Sequence, residues 1–133
     1  MDTAEIRKTL RSVLDGVEAA FGRGTTPEEL LSIWYDDEVI VAGEGDPRAG
    51  RGVQALLAKA EQMLTEMGPH PTVRFTIDEP ILAEGALAVA LLDCTLLPDL
   101  PGAETQYYRI LTAWRPGPRG WRIVREMFAV GPL

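Results

Sequence analysis

Histidine and cysteine are almost missing from this sequence: its 133 residues hold one of each, His70 and Cys94. One cysteine excludes an intrachain disulfide and a cysteine-based metal cluster. One histidine, set between Pro69 and Pro71, with serines only at Ser12 and Ser32 inside helical patterns, leaves no readable nucleophile triad. Long apolar runs are missing too. The longest, Ala86 to Leu92, has seven residues, against roughly 20 for a membrane-spanning helix. The acidic start Met1-Asp2-Thr3-Ala4-Glu5 has neither the basic nor the apolar region of a signal peptide, so a cytoplasmic location is expected. No Lys/Arg run offsets the net charge of -7, and a nucleic-acid backbone or an anionic membrane is an unexpected partner. The charge is uneven, however: residues 1–100 carry 18 acids and 8 bases, whereas residues 101–133 carry 2 acids and 5 arginines. Gly43-Glu44-Gly45-Asp46 is no phosphate loop, because its acids sit where an anion would bind.

What is present reads as one domain over residues 1–133, with 46% apolar and 25% charged residues, a size that can bury its own core. Ile6, Leu10, Val13, Leu14, Val17 and Phe21 recur at steps of three and four, which predicts a helix over Ala4–Phe21, with Asp2 and Glu5 as a capping box and Gly22 and Gly24 as the stop. Thr26-Pro27-Glu28-Glu29 predicts a second helix to about Tyr35, capped by Thr26 with Glu29 closing the box. Glu38–Ala42 reads as a short strand, Gly43–Gly52 as a loop with Glu44 exposed on it, and Val53–Met67 as a third helix. Four strands follow: Val73–Ile77, Ala86–Leu97, Thr105–Arg115 and Trp121–Val130. Their short connections imply an antiparallel sheet with segregated helices, the α+β class.

Several of these stretches resemble one family. Trp34-Tyr35-Asp36-Asp37-Glu38-Val39-Ile40-Val41, a Gly/Pro loop ending in Arg51-Gly52 before a helix, and the hairpin Tyr108–Arg115 and Gly120–Val124 are similar to the nuclear transport factor 2-like (SnoaL-like, DUF4440) superfamily. The resemblance implies a cone-shaped α+β fold, a curved, mostly antiparallel sheet around the N-terminal helices with a central pocket, and commonly a homodimer. The sequence departs from the enzymes of that superfamily at three places. The general-base aspartate of the ketosteroid isomerase branch aligns with Ala42 or Gly43, the first helix holds no tyrosine, and Arg125-Glu126-Met127 replaces the His-x-His of many members.

The candidate site residues come from the strands. Asp93 breaks an apolar run, so it needs a partner, and folding the chain about position 101 sets it opposite Arg109. That pair is either an ion pair on the outer face or at a dimer interface, or a polar floor to the pocket in which Asp93 acts as acid or base. If Arg109, Leu111 and Ala113 on one strand and Trp121, Ile123, Arg125 and Met127 on the next face inward, Arg109 and Arg125 converge on an anionic ligand. If the even-numbered residues face inward, the interior holds Glu126 with Phe128 and Tyr108 instead, and Glu126 is the second candidate acid/base. Trp34, Tyr35 and Tyr107 or Tyr108 would give an aromatic wall, and Met63 and Met67 an adaptable one. The expectation is a homodimeric domain that binds a small apolar or carboxylate-bearing molecule without cofactor or metal. The alternatives are a cyclase, isomerase or dehydratase acting on an apolar ketone-like substrate, and a non-catalytic association module.

Overall fold

The structure, a computed structural model, describes all residues from Met1 to Leu133. Helix α1 (Thr3–Arg23) opens on the foreseen box: Glu5 N–H donates to Asp2 Oδ1 at 2.8 Å, and Asp2 N–H donates to Glu5 Oε2 at 3.1 Å. It ends at Gly24, whose φ of 84° is open to glycine. Helix α2 (Pro27–Trp34) is capped by Thr26, whose Oγ1 accepts from Glu29 N–H at 3.1 Å. The other half of that box does not form, because the Glu29 carboxylate pairs with Arg23 across the turn. Helix α3 is Val53–Met67. None of the three is long and apolar enough to cross a membrane.

The strands are β1 (Tyr35–Gly43), β2 (Gly50–Arg51), β3 (Thr72–Ile77), β4 (Leu82–Glu84), β5 (Leu87–Leu97), β6 (Gln106–Gly117) and β7 (Gly120–Val130). They form one sheet in the order β2-β1-β7-β6-β5-β3, with β4 paired to β5. Only β1 and β7 run parallel. Strands β2 and β4 had no signature in the sequence, since two or three residues are too few to show a period. Strand β1 starts at Tyr35, directly after α2, three residues ahead of the Glu38 start expected from the β-branched run. The β5–β6 hairpin pairs Asp93 with Arg109, as folding about position 101 requires.

Side-chain parity along this sheet decides what the interior contains. On β5 and β6 the even-numbered residues Ala88, Ala90, Leu92, Cys94, Leu96, Ile110, Thr112 and Trp114 are buried against the helices. On β7 the parity changes midway. Ala113 pairs with Arg125 but Trp114 pairs with Ile123, so Val124 is an extra residue, a β-bulge, and Ile123 and Val124 are buried in succession. Before the bulge Trp121 and Ile123 point inward; after it Glu126 does, with Phe128 next along.

Helix α1 is stitched to the edge strand β3. Phe75 N–H donates to Glu18 Oε2 at 2.8 Å, Arg11 Nη1 donates to Phe75 O at 2.5 Å, and Arg11 Nη2 meets Glu18 at 2.7 Å. These contacts satisfy an edge peptide that would otherwise be open to pairing. At the other end of the sheet the ring of Phe128 lies over Gly43, in space that a Cβ at position 43 would need. Gly43→Ala is therefore expected to destabilise the protein by about 1–3 kcal/mol, the usual cost of overpacking. In denaturant unfolding, adding Phe128→Ala to that variant should remove most of the Gly43→Ala effect, because the two substitutions act on the same space.

Candidate functional site

Two elements bring the central pair together. Tyr35 begins β1 where α2 gives way to extended backbone, and Glu126 is the first inward residue after the β7 bulge. The Tyr35 hydroxyl donates to the Glu126 carboxyl, with both Oε1 and Oε2 at 3.0 Å. Each residue is only 6% exposed, although 91 positions separate them in the chain. No salt bridge reaches Glu126. The walls are aromatic and apolar: Trp34 stacks on Tyr35 with ring centroids 4.8 Å apart, and Phe75 meets Trp34 edge-on at 5.6 Å. Towards solvent, Tyr108 and Phe128 are half-buried and pack edge to face at 6.2 Å.

Enclosure without a cation governs the protonation of this pair. Burial pushes the Glu126 carboxyl up to about 7, and the Tyr35 hydrogen bond partly opposes the rise by favouring the charged form. Burial, followed by the nearby Glu126 charge, holds Tyr35 well above the usual phenol range, so its hydroxyl stays a donor. Cys94 lies close enough to feel Glu126, and burial pushes its thiol up to about 12. It is therefore no thiolate nucleophile near neutrality. Glu126 is the interior group that exchanges a proton around pH 7.

The residues expected from sequence divide between two faces of the sheet. Trp34, Tyr35, Met67 and Glu126 are buried in the interior, and Met63 and Tyr108 are half-buried against the core. Arg109, Arg125 and Met127 are exposed on the outer face, and the convergence of Arg109 and Arg125 inside the cone does not occur. On β6 the odd-numbered residues face out, and on β7 the bulge at Val124 puts Arg125 and Met127 on the same outer side. Asp93 shares that face. Although paired in register, Asp93 and Arg109 do not meet as ions: Asp93 Oδ1 accepts from Leu133 N–H at 2.9 Å, and Arg109 Nη1 donates to Val130 O at 3.0 Å. Arg125 Nη1 donates to Glu38 O and Val124 O. Glu44, read as a loop acid, is exposed but anchored, its Oε2 accepting from Val130 N–H at 2.6 Å.

A second polar cluster lies at the β6–β7 turn. Arg115 holds Asp36 at 3.0 Å and Glu38 at 2.8 Å, and Arg119 holds Asp37 at 3.0 Å. The Arg115 guanidinium keeps the Asp36 carboxyl below the usual range. These opposite charges satisfy one another and tie β1 to the β6–β7 hairpin. His70 is exposed beside a surface groove of about 570 Å³ between the α1–α2 turn and the end of α3, which neither Tyr35 nor Glu126 lines. Nowhere do three His, Cys, Asp or Glu side chains come together as a metal site would need.

The raised Glu126 pKa makes a signed prediction. Between about 4.5 and about 7 the folded state binds a proton that the unfolded state has released, so stability falls as pH rises through this window. The stabilisation is fully present below about 4.5, and the loss by pH 7 is about 3 kcal/mol. Glu126→Gln should remove that slope, measured as the difference between the two proteins' unfolding free energies across pH 4 to 8. Asp36 acts with the opposite sign and in a lower window, its contribution fading only as the pH falls through the acid range.

No protein-family model matches this sequence, and no curated protein matches it significantly. Solved structures do. An NTF2-like superfamily protein from Salmonella enterica is similar with a TM-score of 0.77 at 17% identity, over 99% of this chain and 94% of that one. A candidate dehydratase of the NTF2-like family from Streptomyces avermitilis has a TM-score of 0.75 at 15% identity, over 99% of both chains. A ketosteroid isomerase-like protein from Erwinia carotovora atroseptica has a TM-score of 0.71 at 18% identity, over 92% of this chain and 94% of that one. At identities of 15–18% these likenesses carry the architecture and leave the chemistry to the site: the chain has the NTF2-like α+β fold.

Proposed function

We propose that this protein is a proton-transfer enzyme acting on a small, apolar, carbonyl-bearing molecule, with Glu126 as general acid/base and Tyr35 as the hydroxyl that positions it. The observation that carries this reading is an enclosed carboxyl group with a tyrosine hydroxyl on it and no cation beside it, a setting that raises its pKa towards neutrality. A catalytic carboxyl works best when its pKa lies near the operating pH. The Glu126 carboxylate takes a proton from the carbon next to the carbonyl, and the C–H electron pair moves into the enolate. The protonated Glu126 then returns the proton to the same carbon or, where a C=C bond is conjugated with the enolate, to the far end of the dienolate. A neutral ligand suits this interior, since Glu126 repels anions and the arginines lie outside. In this reading the ligand enters past Tyr108 and Phe128, which are half-buried. The names of the dehydratase and isomerase-like neighbours agree with such chemistry.

We further propose that the working form is a homodimer joined through the outer face of the sheet. Leu91, Leu111 and Met127 lie in register across β5, β6 and β7 and are 40%, 45% and 60% exposed. Asp93 and Arg109 lie beside this row without an ion pair in their own chain, and a two-fold axis would offer each the opposite charge of the other copy.

Cyclohexanone in deuterated water tests the enzyme reading. The protein should accelerate exchange of the α-hydrogens, read by mass spectrometry, and Glu126→Gln should lower the rate by a factor of about 10² to 10⁴. Equal rates in the two proteins would refute the role of Glu126. Sedimentation tests the dimer separately: Leu111→Asp should give a monomer, whereas a dimer unchanged by that substitution would place the interface elsewhere.

A further inference from the structure

Trp34 is the last residue of α2 and only 8% exposed, and its indole Nε1–H is the one buried side-chain polar group of the chain with no hydrogen-bond partner. The same core shows how a buried indole is otherwise satisfied. Trp114 Nε1–H donates to Thr112 Oγ1 at 2.7 Å, and that hydroxyl donates onward to Ala90 O at 2.7 Å. Buried donors are rarely left unmade, because each has given up its water without recompense. Phenylalanine at position 34 would keep the aromatic contacts with Phe21, Tyr35 and Phe75 and carry no orphan. The orphan is one residue along the chain from the Tyr35–Glu126 pair. The indole lies on the face of the Tyr35 ring, 4.8 Å away and 20° from parallel, and the hydroxyl of that ring touches Glu126.

We propose that the Trp34 indole N–H is the donor that binds the ligand's carbonyl oxygen and so selects carbonyl compounds over hydrocarbons of the same shape. The inference rests on the reading of Glu126 as the proton-transfer group and adds the residue that holds the other end of the reacting unit. An oxygen on Trp34 and a carbon acid facing Glu126 are what enolisation needs. The donor strengthens its bond as charge moves from the α-carbon to the oxygen, and no atom is exchanged with Trp34. When Glu126 has taken the proton, its O–H is free to donate to the Tyr35 oxygen, which lets the Tyr35 hydroxyl turn to the same enolate. The site becomes a discriminator, because a ligand without an acceptor leaves the indole unpaired.

The probe is cyclohexanone, with cyclohexane as the isostere that lacks the oxygen, titrated into protein whose three tryptophan indoles are labelled with nitrogen-15. The Trp34 indole signal, identified by its loss in Trp34→Phe, should move downfield saturably with cyclohexanone while the Trp114 signal stays in place. Trp34→Phe should bind cyclohexanone about tenfold more weakly and cyclohexane equally well. If cyclohexanone binds and exchanges its α-hydrogens through Glu126 while the Trp34 signal stays still, the assignment to Trp34 is overturned and the role of Glu126 stands. If the wild-type protein neither binds nor exchanges cyclohexanone, the Glu126 reading fails and this inference with it. The shift in the wild-type protein decides the matter even where Trp34→Phe folds poorly.

Discussion

A single extra residue in β7 governs what this fold encloses. Strand side chains alternate strictly, so without the bulge at Val124 the parity that buries Trp121 and Ile123 would carry Arg125 and Met127 inward and turn Glu126 out. With it, one acid enters the interior and the arginine leaves. Two guanidinium-bearing positions, 109 and 125, then share the outer face with Asp93, and the inner face keeps one ionisable carboxyl among aromatic and aliphatic side chains. The bulge costs a place in the β6–β7 ladder, and it sets the chemistry of the interior in return.

That interior is tolerable only because it is matched. A carboxylate enclosed without a cation is strongly disfavoured, and the chain meets the difficulty in two ways. Glu126 is raised to about 7, so that near neutrality it is neutral for much of the time. The Tyr35 hydroxyl serves the charged form when it appears. Its position follows from the direct passage of α2 into β1: Trp34 closes the helix, Tyr35 opens the strand, and the two rings stack. Apart from the Trp34 indole, the polar interior is self-contained, as in the chain from Trp114 through Thr112 to the backbone of Ala90.

Much of the architecture was legible in the sequence because it rests on local rules. The 3.6-residue stripe of α1, its Asp2–Glu5 box, the Thr26-Pro27 start of α2 and the fold-back that sets Asp93 against Arg109 all follow from spacing and turn chemistry. The site was less legible. Parity on β5 was open to reading, since Asp93 and Thr95 at odd positions mark the outer side of a strand whose even positions 88 to 96 are all apolar. Parity on β7 was not. No glycine or other local signal marks Val124, and its bulge is defined by the register with β6, a partner that local pattern does not specify. The surroundings of Cys94 and Gly43 were illegible for the same reason: they come from what lies opposite, Glu126 in one case and the Phe128 ring in the other.

The most direct test of this account is the titration of the Glu126 side-chain carboxyl, followed by carbon-13 NMR in the native protein and in Tyr35→Phe. The account predicts a midpoint of about 7, moved upward when the tyrosine hydroxyl is removed, because that hydroxyl favours the charged form. A midpoint near 4.5, the ordinary value of a glutamate, unchanged in Tyr35→Phe, would contradict it.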